Sequence, residues 1–336
     1  MKTAAARSLP ALSLCAAGLL LVYGSVFRTG FDRIRAGADD FLAFYAGARL
    51  AGTSSLYDPA AVERVQLQAA RQTSPALAFV RLPWCAVVLR PLARLSYSAA
   101  HTLWFALRVL AVAAFVFLWR LPGRMAAAVV CCWSLPLAAA LGNGQDVPFL
   151  LLWLALFVAL DNRGRPFWAG MVLSLCTAKF HLFLLLPVLF VAHRKWAVVA
   201  GAAAGCAVLG AICWLGAPPD WPMQFLRAIS RAQIAPMAQT MPTLHGLLPG
   251  AWEWPATALV VLLSGWAILR FEYPRALAVA LAGGLLIARH AYMQDAAILI
   301  PAILILWSKG RTQIERYAAF AAATPLPWLF LIRRGG

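Results

Sequence analysis

A succession of long apolar runs limits the fold of this chain more than any other feature. The runs cover Leu9–Phe27, Leu103–Trp119, Met125–Leu141, Val147–Leu160, Phe167–Ala178, Leu182–Ala192, Trp196–Leu215, Ala256–Leu269, Ala276–Ala288, Ala296–Trp307 and Ala318–Ile332. A helix needs roughly 17–25 apolar residues to cross a hydrocarbon core about 30 Å thick, and its backbone polar groups must bond within it. The chain therefore reads as an all-α, polytopic transmembrane helical bundle of about ten or eleven spans, with residues 1–336 forming a single integral membrane domain. Several runs are short for a span, and Phe167–Ala192 reads as one kinked hairpin or two half-helices. Residues 1–27 resemble a signal sequence, with Lys2 and Arg7 ahead of an apolar stretch. No small-x-small cleavage site follows Phe27, so this segment is expected to stay as the first span.

The net charge is +17, which in a soluble protein would point to nucleic acid. Here the basic residues mark short connections: Arg120 and Arg124, Arg163 and Arg165, Arg194 and Lys195, Arg270 and Arg275, then Lys309, Arg311 and Arg316. They alternate with basic-poor connections, so the positive-inside rule places them in the cytoplasm with the N-terminus. The charge reports topology and contact with membrane lipid, and nucleic-acid binding is not expected. The seven cysteines make no metal spacing and no disulfide framework.

Two long connections, Arg28–Ala100 and Gly216–Pro255, then lie outside. The first holds Asp39-Asp40, two adjacent carboxylates in a chain with only 12 acidic residues. Phe41, Phe44, Tyr45 and Ala48 follow at helical spacing, with Gly52 as a C′ residue, and predict an amphipathic helix on the outer leaflet. Asp58-Pro59 predicts the cap and first turn of a polar helix over Ala60–Gln72. Pro83 and Pro91 interrupt the next apolar stretch, as in a re-entrant or interfacial segment.

The other outer connections gather polar residues of mixed type. Gly142-Asn143-Gly144-Gln145-Asp146 joins two spans; Lys179 and His181 lie at the next outer turn; His245 sits in the second long loop; Arg289, His290, Tyr292 and Asp295 form another. The cytoplasmic connections hold Arg and Lys with few acids, so the asymmetry points to a polar cavity on the outer side. Each residue has a plainer reading. Asp40 and Asp146 are placed to cap helices, Lys179 to snorkel, and His181 and His245 to pack at the interface. His290 and Asp295 stand five apart, off the i,i+4 register of a helix-face pair.

The pattern Asp40-Phe41…Tyr45…Gly47…Leu56-Tyr57-Asp58-Pro59 resembles glycosyltransferase family 87, bacterial polyprenol-phosphate-mannose-dependent mannosyltransferases of GT-C architecture. Gly144-Gln145 is similar to the family's Gly-Gln motif, Ala169-Gly170 with Lys179 to its next signature, and His290-Ala291-Tyr292 with Asp295-Ala296 to its late outer motif. Phe180 stands where the family has Pro, and Ala288-Arg289 where it has Ser-Pro.

The resemblance implies a polyprenyl-phosphate-linked sugar donor, a glycan or glycolipid acceptor, and a site on the extracytoplasmic face of the bacterial inner membrane. It implies inverting transfer with Asp40 as base and Asp39 beside it. Tyr45, Gln145, Lys179, His181, His245, Arg289, His290 and Asp295 are the expected substrate-binding residues. Lys179 and His290 would hold the phosphate, and His245 would close from the second loop. A monophosphate donor demands no metal, so neither metal nor cofactor is expected. A transporter or flippase is the rival reading, but transporters place charge at the midplane. Here Arg108 is the main ionisable residue well inside a span.

Overall fold

The structure, a computed structural model, describes residues 4–70, 77–232, 240–248 and 250–334. Lys2 and the last two residues of the expected 60–72 helix fall outside these, as does part of the second outer loop. Four helices are long and apolar enough to cross a membrane: Leu9–Thr29, Tyr97–Leu118, Trp196–Gly216 and Gly250–Arg270. Arg124–Trp133 and Leu135–Gly142 add a fifth if taken as one span bent by 67°. The bend has a local cause. The Ser134 hydroxyl caps the second half by accepting from Leu137 N at 3.2 Å, and Pro136 in its first turn has no N–H to continue the ladder.

The long helices leave large apolar side chains uncovered, with Leu110 63% exposed and Leu215 90%. Such a surface suits lipid and not water. The chain is a polytopic helical membrane protein, with no strand among the described residues.

About ten or eleven spans were expected, several of them short, and four or five helices among the described residues meet the length. Val147–Asp161 and Tyr273–Ile287 are 15 residues each, near 22 Å at about 1.5 Å per residue. Their apolar character comes partly from burial in protein: Leu150, Leu151, Leu154 and Phe157 of one, Ala280, Leu281 and Leu285 of the other. Hydropathy cannot separate a lipid-facing helix from one enclosed by its neighbours. Phe167–Ala192 forms two short helices, Pro166–Leu173 and Leu186–Ala192, around a 3₁₀ segment Ser174–Leu182 in which Lys179 leaves helical geometry at φ −135°, ψ 54°. The first packs backbone to backbone on Trp196–Gly216: a Cβ on Gly170 would lie 2.0 Å from Val198 O, and one on Gly201 1.9 Å from Phe167 O. Small residues at a membrane helix crossing permit that approach.

The helix after Asp39-Asp40 spans Phe41–Leu50, and Gly52 (φ +82°) follows it in the left-handed region. It does not lie on the leaflet. Every residue from Phe41 to Ala48 is buried, packed against the Pro83–Ala93 and Tyr97–Leu118 helices. Its aromatic residues pack on the Tyr97–Leu118 helix (Phe41 on Trp104 and Tyr97, Phe44 on Trp104), and the Phe79 ring lies against Gly47. Asp58 behaves as expected, accepting from Ala60 N at 3.2 Å at the head of Pro59–Ala70.

Candidate active site

Two loops meet beyond the first turns of the Tyr97–Leu118 helix, and their backbones lock together. Asp40 N donates to Asn143 O at 2.9 Å. Gly144, at φ +74°, lies under Asp39, where a Cβ would sit 2.6 Å from Asp39 Oδ1. Both the backbone angle and the close approach select glycine there. One face of the Tyr97–Leu118 helix holds this junction through four side chains spaced by four, three and four residues. Tyr97 donates its hydroxyl to Gly37 O. His101 Nε2 is 2.9 Å from Asp39 Oδ2, Trp104 Nε1 donates to Gly144 O at 2.8 Å, and Arg108 Nη1 donates to Ala140 O and Leu141 O at 3.1 and 2.9 Å. The i, i+4, i+7, i+11 register puts all four on one side of the helix.

The two aspartates have different surroundings. Asp39 is 3% exposed, engaged by His101 and by Phe41 N at 3.1 Å. Asp40 is only partly buried. It occupies the cap position of Phe41–Leu50, but its side chain makes no cap bond. Its Oδ2 instead accepts from Gln145 Nε2. The Gln145 carbonyl accepts from Lys179 Nζ at 2.9 Å. An ammonium only donates and a carboxylate only accepts, so these neighbours fix which way the Gln145 amide points.

Lys179 is 3% exposed and has three acceptors: Gln145 Oε1, Asp295 Oδ1 and, at 3.2 Å, Asp146 Oδ1. Asp146 is also gripped by Arg81, with Nε 2.9 Å from Oδ2 and Nη2 3.2 Å from Oδ1. Like Asp40, it stands at a cap position without capping. Burial raises its proton affinity, but Arg81 and Lys179 outweigh that and hold the carboxyl well below the usual carboxylate range. Asp295 completes the cluster, its second oxygen accepting from Tyr292 N at 2.9 Å. Two cations thus face two carboxylates in a buried, charge-balanced group, joined through Gln145 to Asp40.

Beside it opens a cavity of about 240 Å³, lined by Arg81, His181, Arg289 and His290 with Phe225 and Ile229 among its apolar walls. Burial pushes His181 down to about 4; Asp295 opposes this, and Lys179, Arg81 and His290 reinforce it. His290 is lowered too, first by burial. Both imidazoles are neutral near pH 7, so the charge facing the cavity comes from the two arginines. Arg289 leans on Glu253 (Nε to Oε1, 3.5 Å), whose other oxygen lies 2.9 Å from His245 Nδ1.

Most of the residues expected at the site are therefore brought together. Asp40, Gln145, Lys179 and Asp295 form one network with Asp146; His181, Arg289 and His290 line the cavity; His245 joins through Glu253. Tyr45 stands apart from both, its hydroxyl donating to Leu95 O at 3.0 Å and its ring against Phe41 and Tyr97. Arg81, His101, Trp104 and Glu253 were not anticipated. Arg81 stands two residues before Pro83, where the sequence marks only a proline-interrupted stretch, whereas the polar face of the Tyr97 helix is legible in the four-three-four spacing of Tyr97, His101, Trp104 and Arg108. Among the described residues no group of three His, Cys, Asp or Glu is disposed for a metal ion.

The family model for glycosyltransferase family 87 matches residues 82–297. The chain belongs to that family. A family 87 protein is a glycosyltransferase, so its substrates are a sugar donor and an acceptor. No curated protein and no solved structure matches the chain. The matched range contains Gln145, Asp146, Lys179, His181, His245, Arg289, His290 and Asp295. Asp39 and Asp40 precede it, and in this family 87 chain they are tied to it by Gly144, Gln145 and His101.

Proposed function

We propose that the protein transfers a hexose, mannose by the family resemblance, from a polyprenyl-phosphate donor to a glycan or glycolipid acceptor, with Asp40 as general base. The reaction would run on the extracytoplasmic face of a bacterial inner membrane, the side given by the basic short connections. The observation that carries this reading is a partly exposed carboxylate, oriented by Gln145 and joined through Lys179 and Asp146 to Arg81, which lines a cavity with Arg289 and two neutral imidazoles.

In the reaction, the acceptor oxygen bonds to the anomeric carbon while the bond from that carbon to the phosphate oxygen breaks. The acceptor proton passes to Asp40, and the electron pair leaves with the polyprenyl phosphate. A single displacement inverts the anomeric centre, so no second carboxylate nucleophile is needed. Charge developing on the leaving phosphate is met by Arg289, with His181 and His290 as neutral hydrogen-bond donors, while Arg81 stays paired with Asp146 in the cavity wall.

Lys179 takes a role different from the phosphate ligand expected from sequence. With three protein acceptors around its ammonium, it orients Gln145 and joins Asp146 to Asp295. A transporter would need charge on broken midplane helices. Arg108, the charge deep in the Tyr97 helix, is instead fully buried against the Ala140 and Leu141 carbonyls, and the family assignment favours the transferase.

The test is transfer in proteoliposomes from synthetic polyprenyl-phosphate-mannose, with a nucleotide-linked mannose as the comparison. Product from the lipid-linked donor alone, with inverted anomeric configuration, is the expected result. Arg289→Ala should raise the donor concentration needed for half-maximal rate more than that of the acceptor. Product from the nucleotide donor alone would end the proposal.

A further inference from the structure

A second cavity, also about 240 Å³, lies at the opposite end of the Tyr97–Leu118 helix. From His101 to Trp119 is 18 residues along that helix and its C-cap, roughly 27 Å at 1.5 Å per residue. That is close to the thickness of a hydrocarbon core. The cavity therefore sits at the other membrane boundary, whichever way the protein is inserted. Its walls are Phe117, Leu118, Val158 and Ala159 on the apolar side, with Arg120, Asn162 and Arg163 on the polar side. Arg124 stands beside it, its guanidinium 4.1 Å over the Phe117 ring and its Nε donating to Phe117 O at 2.9 Å. A smaller recess of about 40 Å³ continues it inward past Trp119 and Asn162 to Asp161 and Tyr273.

The charges at this end are unevenly satisfied. Arg275 pairs with Glu315, Arg311 with Glu272, and Lys195 with Asp161 at 2.8 Å. Among the described residues no ion pair involves Arg120, Arg124 or Arg163, and all three are exposed. Asp161, the acid nearest in sequence to Arg163, is engaged by Lys195. The unneutralised arginines of two successive short connections thus converge on one recess with an apolar flank. Such a basic pocket between helices at the membrane edge is complementary to a lipid phosphate.

We propose that this cavity binds the headgroup of an anionic phospholipid. Its phosphate lies between Arg120 and Arg163, Asn162 donates to a headgroup oxygen, and the acyl chains leave along Phe117 and Leu118. A zwitterionic lipid fits less well, because its own ammonium would face three arginines. Free phosphate gains nothing from the apolar wall. The proposal is independent of the transfer chemistry at the other end of the molecule.

The full chain, purified in a mild detergent and exchanged against defined lipids, would be examined by native mass spectrometry. One phosphatidylglycerol should be retained per chain in preference to phosphatidylcholine, and millimolar inorganic phosphate should not displace it. The Arg120→Ala/Arg163→Ala double variant should bind phosphatidylglycerol about thirtyfold more weakly, from a contribution of roughly fivefold per basic residue near the lipid. Arg120→Lys/Arg163→Lys should retain most of the binding. Equal retention of the two lipids, displacement by inorganic phosphate, or undiminished phosphatidylglycerol on the alanine variant would each overturn the assignment. If the alanine variant fails to fold, the lipid preference and phosphate competition of the parent chain decide it.

Discussion

Substituting the two adjacent aspartates separately distinguishes a base from a structural carboxylate. In Asp40→Asn the side-chain oxygen can still accept from Gln145 Nε2, so the Gln145–Lys179 connection stays intact. The proton acceptor is lost. Removal of a general base costs about 10²–10⁴ in rate, or roughly 2.7–5.4 kcal/mol of barrier. In Asp39→Asn the new side chain can accept from Phe41 N and keep a hydrogen bond to His101 Nε2 through its amide. Asp39 is 3% exposed, so the loss appears mainly as stability, about 1–3 kcal/mol for an impaired buried bond. Its rate should fall by no more than about tenfold if the loop shifts slightly.

The assay is single-turnover transfer in proteoliposomes, normalised to inserted, folded protein. Each variant's unfolding midpoint would be measured alongside. Asp40→Asn should be folded and nearly inert, and Asp39→Asn less stable but active. Near-normal turnover by Asp40→Asn would refute the reasoning, because the amide keeps the bond to Gln145 and removes only the proton acceptor. So would an Asp39→Asn variant that is stable and more severely impaired than its neighbour, since Asp39 would then be the base.

Gly144→Ala should destabilise the protein and lower transfer, because the left-handed backbone costs about 1–2 kcal/mol and the new methyl meets Asp39. Gly164→Ala, at a similar φ of +70° with nothing within 4 Å of its Cβ, should show the backbone cost alone and leave transfer unchanged. Arg108→Met should lower the unfolding midpoint and impair transfer by loosening the Ala140–Gln145 loop, with Leu141 O losing a buried donor at about 1–3 kcal/mol while Ala140 O keeps the bond from Gln145 N. Unchanged behaviour in both would mean that Arg108 does not hold that loop. His181→Gln should flatten the acid side of the stability profile. The His181 folded-state value is about 4 against an ordinary 6.5, so the unfolded chain binds the extra proton between these values. Its contribution is full above about 6.5 and is lost as pH falls toward 4. Denaturation midpoints of the two proteins at pH 7 and pH 4.5 would show the difference.

Much of this site was legible in the sequence because polar residues are scarce in a lipid-facing chain. Gln145, Lys179, Arg289, His290 and Asp295 each interrupt apolar runs on the same side, and the structure groups them with Asp40. The helix boundaries were less legible, because apolar periodicity does not record whether a segment faces lipid or protein. Phe41–Leu50 illustrates the limit: its aromatic residues suited an interfacial helix equally well, and only contacts from Tyr97, Trp104 and Phe79 reveal it as enclosed. Arg81 escaped for a different reason. Its partner Asp146 is 65 residues away, and nothing local distinguishes it from the other arginines of the first outer loop. The phosphate role expected for Lys179 could not be tested by sequence either, since its three acceptors come from two distant connections.

The arrangement also explains how a carboxylate preceding the family-matched range can be positioned by residues within it. Gln145, Lys179 and Asp295 lie in that range, as do His101 and Gly144. Asp40 meets the first of these through its side chain, and Asp39 meets the last two. The balanced Arg81–Asp146–Lys179–Asp295 group brings no large net charge of its own into the buried site. Arg289 is different: it is about half exposed at its side chain, and its carboxylate neighbour Glu253 is 3.5 Å away and shared with His245. A looser, shared pair can reorganise around an arriving phosphate at less cost than the bidentate Arg81–Asp146 pair. Donor affinity should therefore depend more on Arg289 than on Arg81, whereas the position of Asp146, and through Lys179 that of Gln145, should depend on Arg81. Arg81→Lys, which keeps charge but loses the fork, separates these roles: it should lower stability and turnover together while leaving donor affinity within a few fold. A large loss of donor affinity with normal turnover at saturation would instead assign Arg81 directly to the phosphate.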